Sequence, residues 1–248
     1  MRFWALLLLL ISSLASACGG GGVLKKEYEY EEELTLALDG SATLNVNASV
    51  PALVALRGAE LDVAPRARLD RERVRALFAG PGVEVTRVSL SRRDGRRFVH
   101  VGIDVADVRR LTQVQSFAWS TYRFDRQGDV FEYRQIVGAA AGKPIPNVGW
   151  NGSELVAFRM HIPSEIPFHN SSSRTVQRGN ILAWEQPLGA RLAGDALDIE
   201  VDMEPESILY STLMLFMGTI VAALLAFALV IWWVSRRGRD AEVAESRP

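Results

Sequence analysis

The chain has 248 residues, 48% of them hydrophobic and 23% charged, with a formal net charge of −1, three histidines and one cysteine. So balanced a charge gives no electrostatic footprint for nucleic acid. A single cysteine excludes an internal disulfide framework and any cysteine-cluster zinc site.

Met1-Arg2 leads into an apolar run over residues 3–11 and then Ser12-Ser13-Leu14-Ala15-Ser16-Ala17-Cys18. One positive charge, a short greasy core and small residues predict an export signal over 1–17, too short to span a bilayer as a mature helix. Ala15-Ser16-Ala17 fits ordinary signal-peptidase cleavage. With Cys18 the same residues resemble a lipobox, in which the cysteine carries a lipid and becomes the new N-terminus. A typical lipobox has Leu three residues before the cysteine; here that place holds Ala15, and Leu14 lies one further back. The lone thiol at this junction favours Cys18 as a lipid anchor, on a Gly-rich tether over 18–27 that opens with Gly19-Gly20-Gly21-Gly22.

Residues 28–206 are expected to form an extracytoplasmic α+β domain of antiparallel hairpins. Tyr28, Tyr30, Leu34, Leu36 and Leu38 alternate, Asp39-Gly40 is a hairpin turn signal, and Ala42, Leu44, Val46, Ala48 and Val50 resume the alternation. Ser49 before Pro51 and Gly58 after Arg57 bracket a short helix or turn, and a better helix runs from its cap Asp70 to Gly80-Pro81 with Val74, Leu77 and Phe78 on one face. A second hairpin spans 83–103 around Asp94-Gly95, and Asp104 is expected to cap a helix carrying Val105, Val108 and Leu111. A third hairpin covers 117–137 around Gln127-Gly128. Residues 138–149, with Pro144 and Pro146, read as a loop that could divide the domain. Strands resume over 155–162, 180–186 and 197–203, and the helices are expected to cover one sheet face.

The stretch 208–234 carries no charged residue, so it predicts one C-terminal transmembrane helix. Tyr210 at one end and Trp232 and Trp233 at the other suit the headgroup zone, and Gly218, Ala222 and Ala226 form a small-residue stripe fit for helix packing. Acidic residues precede the helix; Arg236, Arg237 and Arg239 follow it. The positive-inside rule then makes 235–248 a cytoplasmic tail and places the large domain outside, in a single-pass cytoplasmic-membrane protein. Arg outnumbers Lys 25 to 3, as in GC-rich coding sequence, which points to a bacterial envelope.

Candidate chemistry is sparse. His161, Glu165 and His169 have helical ligand spacing, but Pro163 and Pro167 forbid the helix, so no metal site is expected and His161 reads as solvent-facing. There is no Gly-x-Ser-x-Gly elbow and no His-Glu-x-x-His, and His100 reads as a structural or surface histidine, so no catalytic residue, enzyme activity or cofactor is expected. Arg92, Arg93, Arg96 and Arg97 crowd one hairpin tip; they could grip anionic headgroups or form a solvated turn. The acidic run Glu27, Glu29, Glu31, Glu32 and Glu33 reads as one strand face plus a solvated tether.

The signal ending in Cys18, the hairpins over 34–50 and 88–103, and the late stretch 162–184 together resemble the LppM-like envelope lipoproteins. The late piece is Ile162-Pro163-Ser164-Glu165, then Asn170, then Gly179-Asn180 and Trp184. That resemblance implies a secreted β-rich domain with helices on one face, tethered by lipid and a C-terminal helix, and a lipid or glycolipid ligand.

Three functions follow in order. The first is a non-enzymatic envelope domain holding a lipid or glycolipid between its helices and the aromatic strand residues Trp119, Tyr122, Phe124, Phe131 and Tyr133. The second is a membrane-proximal scaffolding module that recruits a partner strand. The third is a cryptic hydrolase using the His161–His169 loop. The first requires an open interior rather than a filled core.

Overall fold

The computed structural model describes residues 26–245, so the signal segment, Cys18 and most of the tether lie outside the described residues. Strand β1 (Tyr28–Leu36) turns at Asp39-Gly40 into β2 (Ala42–Ser49), with Leu34 opposite Leu44. Ser49 ends that strand and caps α1 (Val50–Arg57), its hydroxyl accepting from the Ala52 N–H at 3.1 Å. Gly58 closes the helix at φ +70°, returning its N–H to the Leu53 and Val54 carbonyls. Helix α1 is apolar all round and buried along its whole length, including Arg57. Helix α2 (Arg71–Phe78) starts at Asp70, whose carboxylate accepts from the Glu72 N–H at 2.9 Å, and buries Val74 and Phe78.

Strands β3 (Val83–Arg93) and β4 (Arg96–Val105) pair around Asp94-Gly95, both at positive φ. Their register slips between Val85 and Arg87, leaving Thr86 as a bulge beside Gly102. A Cβ on Gly102 would come within 3.2 Å of Thr86 Oγ1, so the partner strand keeps glycine there. Beyond the bulge the alternation is inverted. Val88 and Leu90 pair with the buried Val101 and Val99, while Arg87, Ser89 and Ser91 turn to the opposite face, Ser89 opposite His100.

The helix expected after Asp104 starts later. Val105 still pairs with Ala42 and Val83, so β4 runs through Asp104; Asp107 instead caps a 3-10 turn, Val108–Gln113. A second 3-10 turn, Gln115–Phe117, takes Phe117 out of the third hairpin, which is β5 (Ser120–Gln127) and β6 (Val130–Val137). Then come β7 (Leu155–His161), β8 (Phe168–His169), β9 (Ile181–Pro187), α3 (Leu188–Leu192), β10 (Leu197–Met203) and α4 (Ile208–Glu245).

The strands form a six-stranded sheet, β3-β4-β2-β1-β7-β9, and a four-stranded sheet, β5-β6-β10-β8. One pairing departs from an all-antiparallel reading: β1 and β7 run parallel. Strands from both sides of 138–149 enter both sheets, so that loop does not divide the strands into two groups. Helices α1 and α2 and the four-stranded sheet share the inner face of the six-stranded sheet, and residues of all these elements join one core. That core is filled. Phe78 meets Phe117 at 5.8 Å and Phe124 stacks on Phe131 at 5.3 Å. The cavity between the sheets, walled by Glu32, Gln135, Phe158 and Trp184, holds about 10 Å³, room for one water. That space has no room for the lipid expected between helices and sheet: Trp119 packs on Tyr30, Phe158 and the Arg57 guanidinium of α1, and Phe124 packs on Phe131.

Helix α4 has 38 residues, of which Ile208–Trp233 are long and apolar enough to cross a membrane. At 1.5 Å per residue that stretch measures about 39 Å, ample for a hydrocarbon core of about 30 Å. Residues 235–245, expected as a tail, continue the helix.

Candidate functional site

The hairpin-tip arginines part company in the structure. Arg96 and Arg97 are buried at 9% and 6% exposure. Arg96 pairs with the fully buried carboxylate of Glu29 at 3.0 Å, and Arg97 donates to the Ala67 carbonyl at 2.8 Å and to that of Asp62. Arg93 donates to the Tyr28 carbonyl and lies over the Phe98 ring at 4.3 Å. Three of the four thus hold the tip to β1 and to the 62–67 loop, and only Arg92 is left exposed. They fold inward because Glu29 and the loop carbonyls offer charge and acceptors that would otherwise be buried unpaired.

Glu27 is exposed, but the other four acidic residues of the run are paired on β1. Glu29 takes Arg96, Glu32 takes Arg57, Glu31 takes Arg159 at 2.9 Å and Glu33 takes His161 at 2.7 Å. His161 is therefore half-buried and engaged. His169 bonds Ser171 at 2.9 Å, and among the described residues no cluster of His, Cys, Asp and Glu could hold a metal ion.

Arg92 does belong to a site, with different partners. Because Arg97 pins the loop from below, Arg66, Arg68 and Arg71 come up beside the end of β3. Together with Arg92 they wall an open groove whose two lobes measure about 700 and 620 Å³, with half-buried Leu69 and Leu90 as apolar patches. All four arginines are exposed, and none forms an ion pair among the described residues. Asp70 lies in the wall, its carboxylate committed to the α2 cap. The groove can therefore take an anion by bidentate guanidinium contacts. The run Pro65-Arg66-Ala67-Arg68-Leu69-Asp70-Arg71 carried the signal in the sequence, as alternating arginines in a loop.

The outer face of the six-stranded sheet carries a second arrangement. Ser91 Oγ lies 2.7 Å from His100 Nε2, and His100 Nδ1 lies 2.9 Å from Asn47 Oδ1. Asn47 Nδ2 donates to Glu31 at 3.4 Å; Arg159 joins Glu31 to the Tyr28 hydroxyl, at 3.1 Å from it. Tyr28 donates to Glu185 at 2.7 Å and Lys26 does so at 2.6 Å. This chain of side-chain bonds crosses all six strands. Burial works against ionisation of Glu185, but the bonds from Lys26 and Tyr28 outweigh it and hold its carboxyl below the usual range. Burial, then Arg87 and Arg93, push the His100 imidazole below its ordinary value, so neutral imidazole is favoured.

The late segment that resembled an envelope lipoprotein is structural. Asn170 accepts from Trp184 Nε1 at 2.8 Å and from the Glu200 N–H at 3.0 Å, so one amide ties β9 to β10. Asn180, at φ +59°, donates to the Ile162 and Ser164 carbonyls, and buried Ser164 bridges Ser207 just before α4. On α4, Tyr210, Trp232 and Trp233 are exposed at 53%, 54% and 49%, and a Cβ on Gly218 would meet nothing within 4 Å among the described residues, where Ala222 and Ala226 are exposed too.

No family profile matches the sequence, and no curated protein matches it. Among solved structures, the NMR structure of the folded domain of Mycobacterium tuberculosis LppM is a weak neighbour: TM-score 0.41 and 11% identity, over 75% of this chain and 95% of that one.

Proposed function

We propose that this protein is a membrane-tethered extracytoplasmic domain that binds anionic headgroups through its arginine groove. The observation that carries the reading is the set of four exposed, unpaired arginines beside two leucine patches. Near an anionic surface each such arginine contributes about 1 kcal/mol. The lipid or glycolipid ligand is thus assigned to the surface groove and not to the filled interior.

The placement of the two attachments supports this. The hairpin tip bonds to Tyr28 at the start of β1, so the groove and the tether share one end of the sheet. Helix α4 leaves from the other end, where the Ile208 N–H meets the Pro163 carbonyl just past β7. Nine residues of β1 separate those ends by about 30 Å. Lys26 and Glu27 are bonded to the sheet, so the eight tether residues before them, 18–25, reach at most about 29 Å. A lipid on Cys18 returns to the bilayer entered by α4 when the domain lies along the surface, and that posture brings the groove to the headgroups.

Trypsin tests this on the full chain reconstituted in vesicles, because Arg66 and Arg68 are exposed. With phosphatidylglycerol in the vesicle, cleavage at these two sites is expected to slow several-fold against phosphatidylcholine alone, and added salt should abolish the difference. Equal cleavage in both vesicles overturns the proposal. The scaffolding reading has less support: the free edge strand β3 is bulged and carries Arg87, Arg92 and Arg93, devices that discourage strand addition.

A further inference from the structure

Ser91, His100 and Asn47 stand on three adjacent strands, and with the imidazole neutral their bonding sets one arrangement of protons. Glu31, paired with Arg159, serves as the acceptor, so Asn47 turns its amide nitrogen toward it. Asn47 Oδ1 then faces His100 Nδ1 at 2.9 Å, and an amide oxygen there requires the proton on Nδ1. Nε2 is left bare, and the Ser91 hydroxyl donates to it across 2.7 Å. We propose that Ser91 is a nucleophile activated by His100 and oriented through Asn47, hydrolysing carboxylic esters on the outer face of the six-stranded sheet.

The bulge at Thr86 is what makes this possible. Without it Ser91 would continue the phase of Val83 and Val85 and face the core. In the reaction Ser91 Oγ attacks the ester carbonyl carbon as its proton passes to His100 Nε2. The carbon–oxygen bond to the alcohol breaks, the alcohol leaves with that proton, and an acyl-serine remains. Water, deprotonated by His100, then attacks the acyl-serine, releasing the acid and restoring Ser91. Arg87 and Arg93 act on His100 electrostatically, and β3 is an edge strand with alternate N–H groups outside the ladder. The same arginines oppose a charged imidazole. The relay therefore suits esters whose alcohol is acidic and leaves with little proton donation. Ser91 also lines the arginine groove, which adds a preference for negatively charged esters. That preference alone rests on the headgroup reading.

A biotinylated fluorophosphonate tests the relay on the full-length protein in detergent. It is neutral, so its reaction does not depend on anion binding; Ser91 Oγ bonds to phosphorus and fluoride leaves. Peptide mapping is expected to place the adduct on Ser91. The labelling rate should fall about 100-fold in His100→Gln, whose amide still donates to Asn47, and about 10-fold in Asn47→Ala. Hydrolysis of p-nitrophenyl acetate should be lost in Ser91→Ala, an exposed change that leaves the melting temperature unmoved. A native protein that gives no adduct on Ser91, or an adduct at the same rate in His100→Gln, overturns the proposal. Labelling on Ser91 with no vesicle-dependent trypsin protection would remove the groove reading and leave the relay standing.

Discussion

Glu32 and Arg57 face each other in the core, 4% and 9% exposed, with the Tyr30 hydroxyl bonded to both. The Arg57 guanidinium lies over the Trp119 ring at 3.5 Å, and Arg191 meets the same ring at 5.0 Å. That stacking accounts for Arg57 Nε and Nη1 lacking hydrogen-bond partners. Removing one member strands the other charge in a dry interior. Glu32→Leu is expected to cost about 3–5 kcal/mol in urea unfolding, and adding Arg57→Met should recover most of that loss. His100 gives a pH signature. Its folded pKa lies below the ordinary 6.5, so its contribution is complete above pH 6.5 and is lost as pH falls through the lower folded value. Urea unfolding on either side of that pH should show an acid-side loss of stability, which His100→Gln diminishes.

At the scale of elements, local pattern reads well where one neighbour decides it. The hairpins around Asp39-Gly40, Asp94-Gly95 and Gln127-Gly128 and the caps Ser49, Gly58 and Asp70 follow from turn and cap chemistry alone. Asp70→Ala should cost about 1 kcal/mol of stability by removing the cap of α2. The same change deletes the acid in the groove wall, so anionic vesicles should protect Arg66 and Arg68 from trypsin more strongly than in the unaltered chain. The bulge was not read, although apolar positions 83 and 85 give way to 88 and 90; only the ladder with β4 says which residue is extruded. Asp104 misleads because cap chemistry is weaker than continued pairing of Val105 with two strands.

For the whole molecule, the proposed attachment at two points has a cellular consequence. Protease added to intact spheroplasts should digest residues 28–206 and spare the arginine-flanked end of α4; protection of the large domain until lysis would place it on the other side of the membrane. The candidate groove was only partly legible. Arg92 was visible as basic, but its partners lie in a loop and at the start of α2, more than twenty positions away, and Arg96 and Arg97 were indistinguishable from it until their carbonyl and carboxylate partners were placed.

By itself the sequence determined the α+β class, the hairpin turns, the caps Ser49, Gly58 and Asp70 and the apolar C-terminal helix, because each depends on residues within one turn or one alternation. The tertiary structure alone decided that Glu29 to Glu33 are paired, that the interior is filled, that β1 joins β7 in parallel, and that Ser91, His100 and Asn47 meet. Those outcomes depend on which distant strands lie side by side. Ionic and hydrogen-bond partners in a sheet are chosen by register across strands, and one-dimensional spacing carries no record of it.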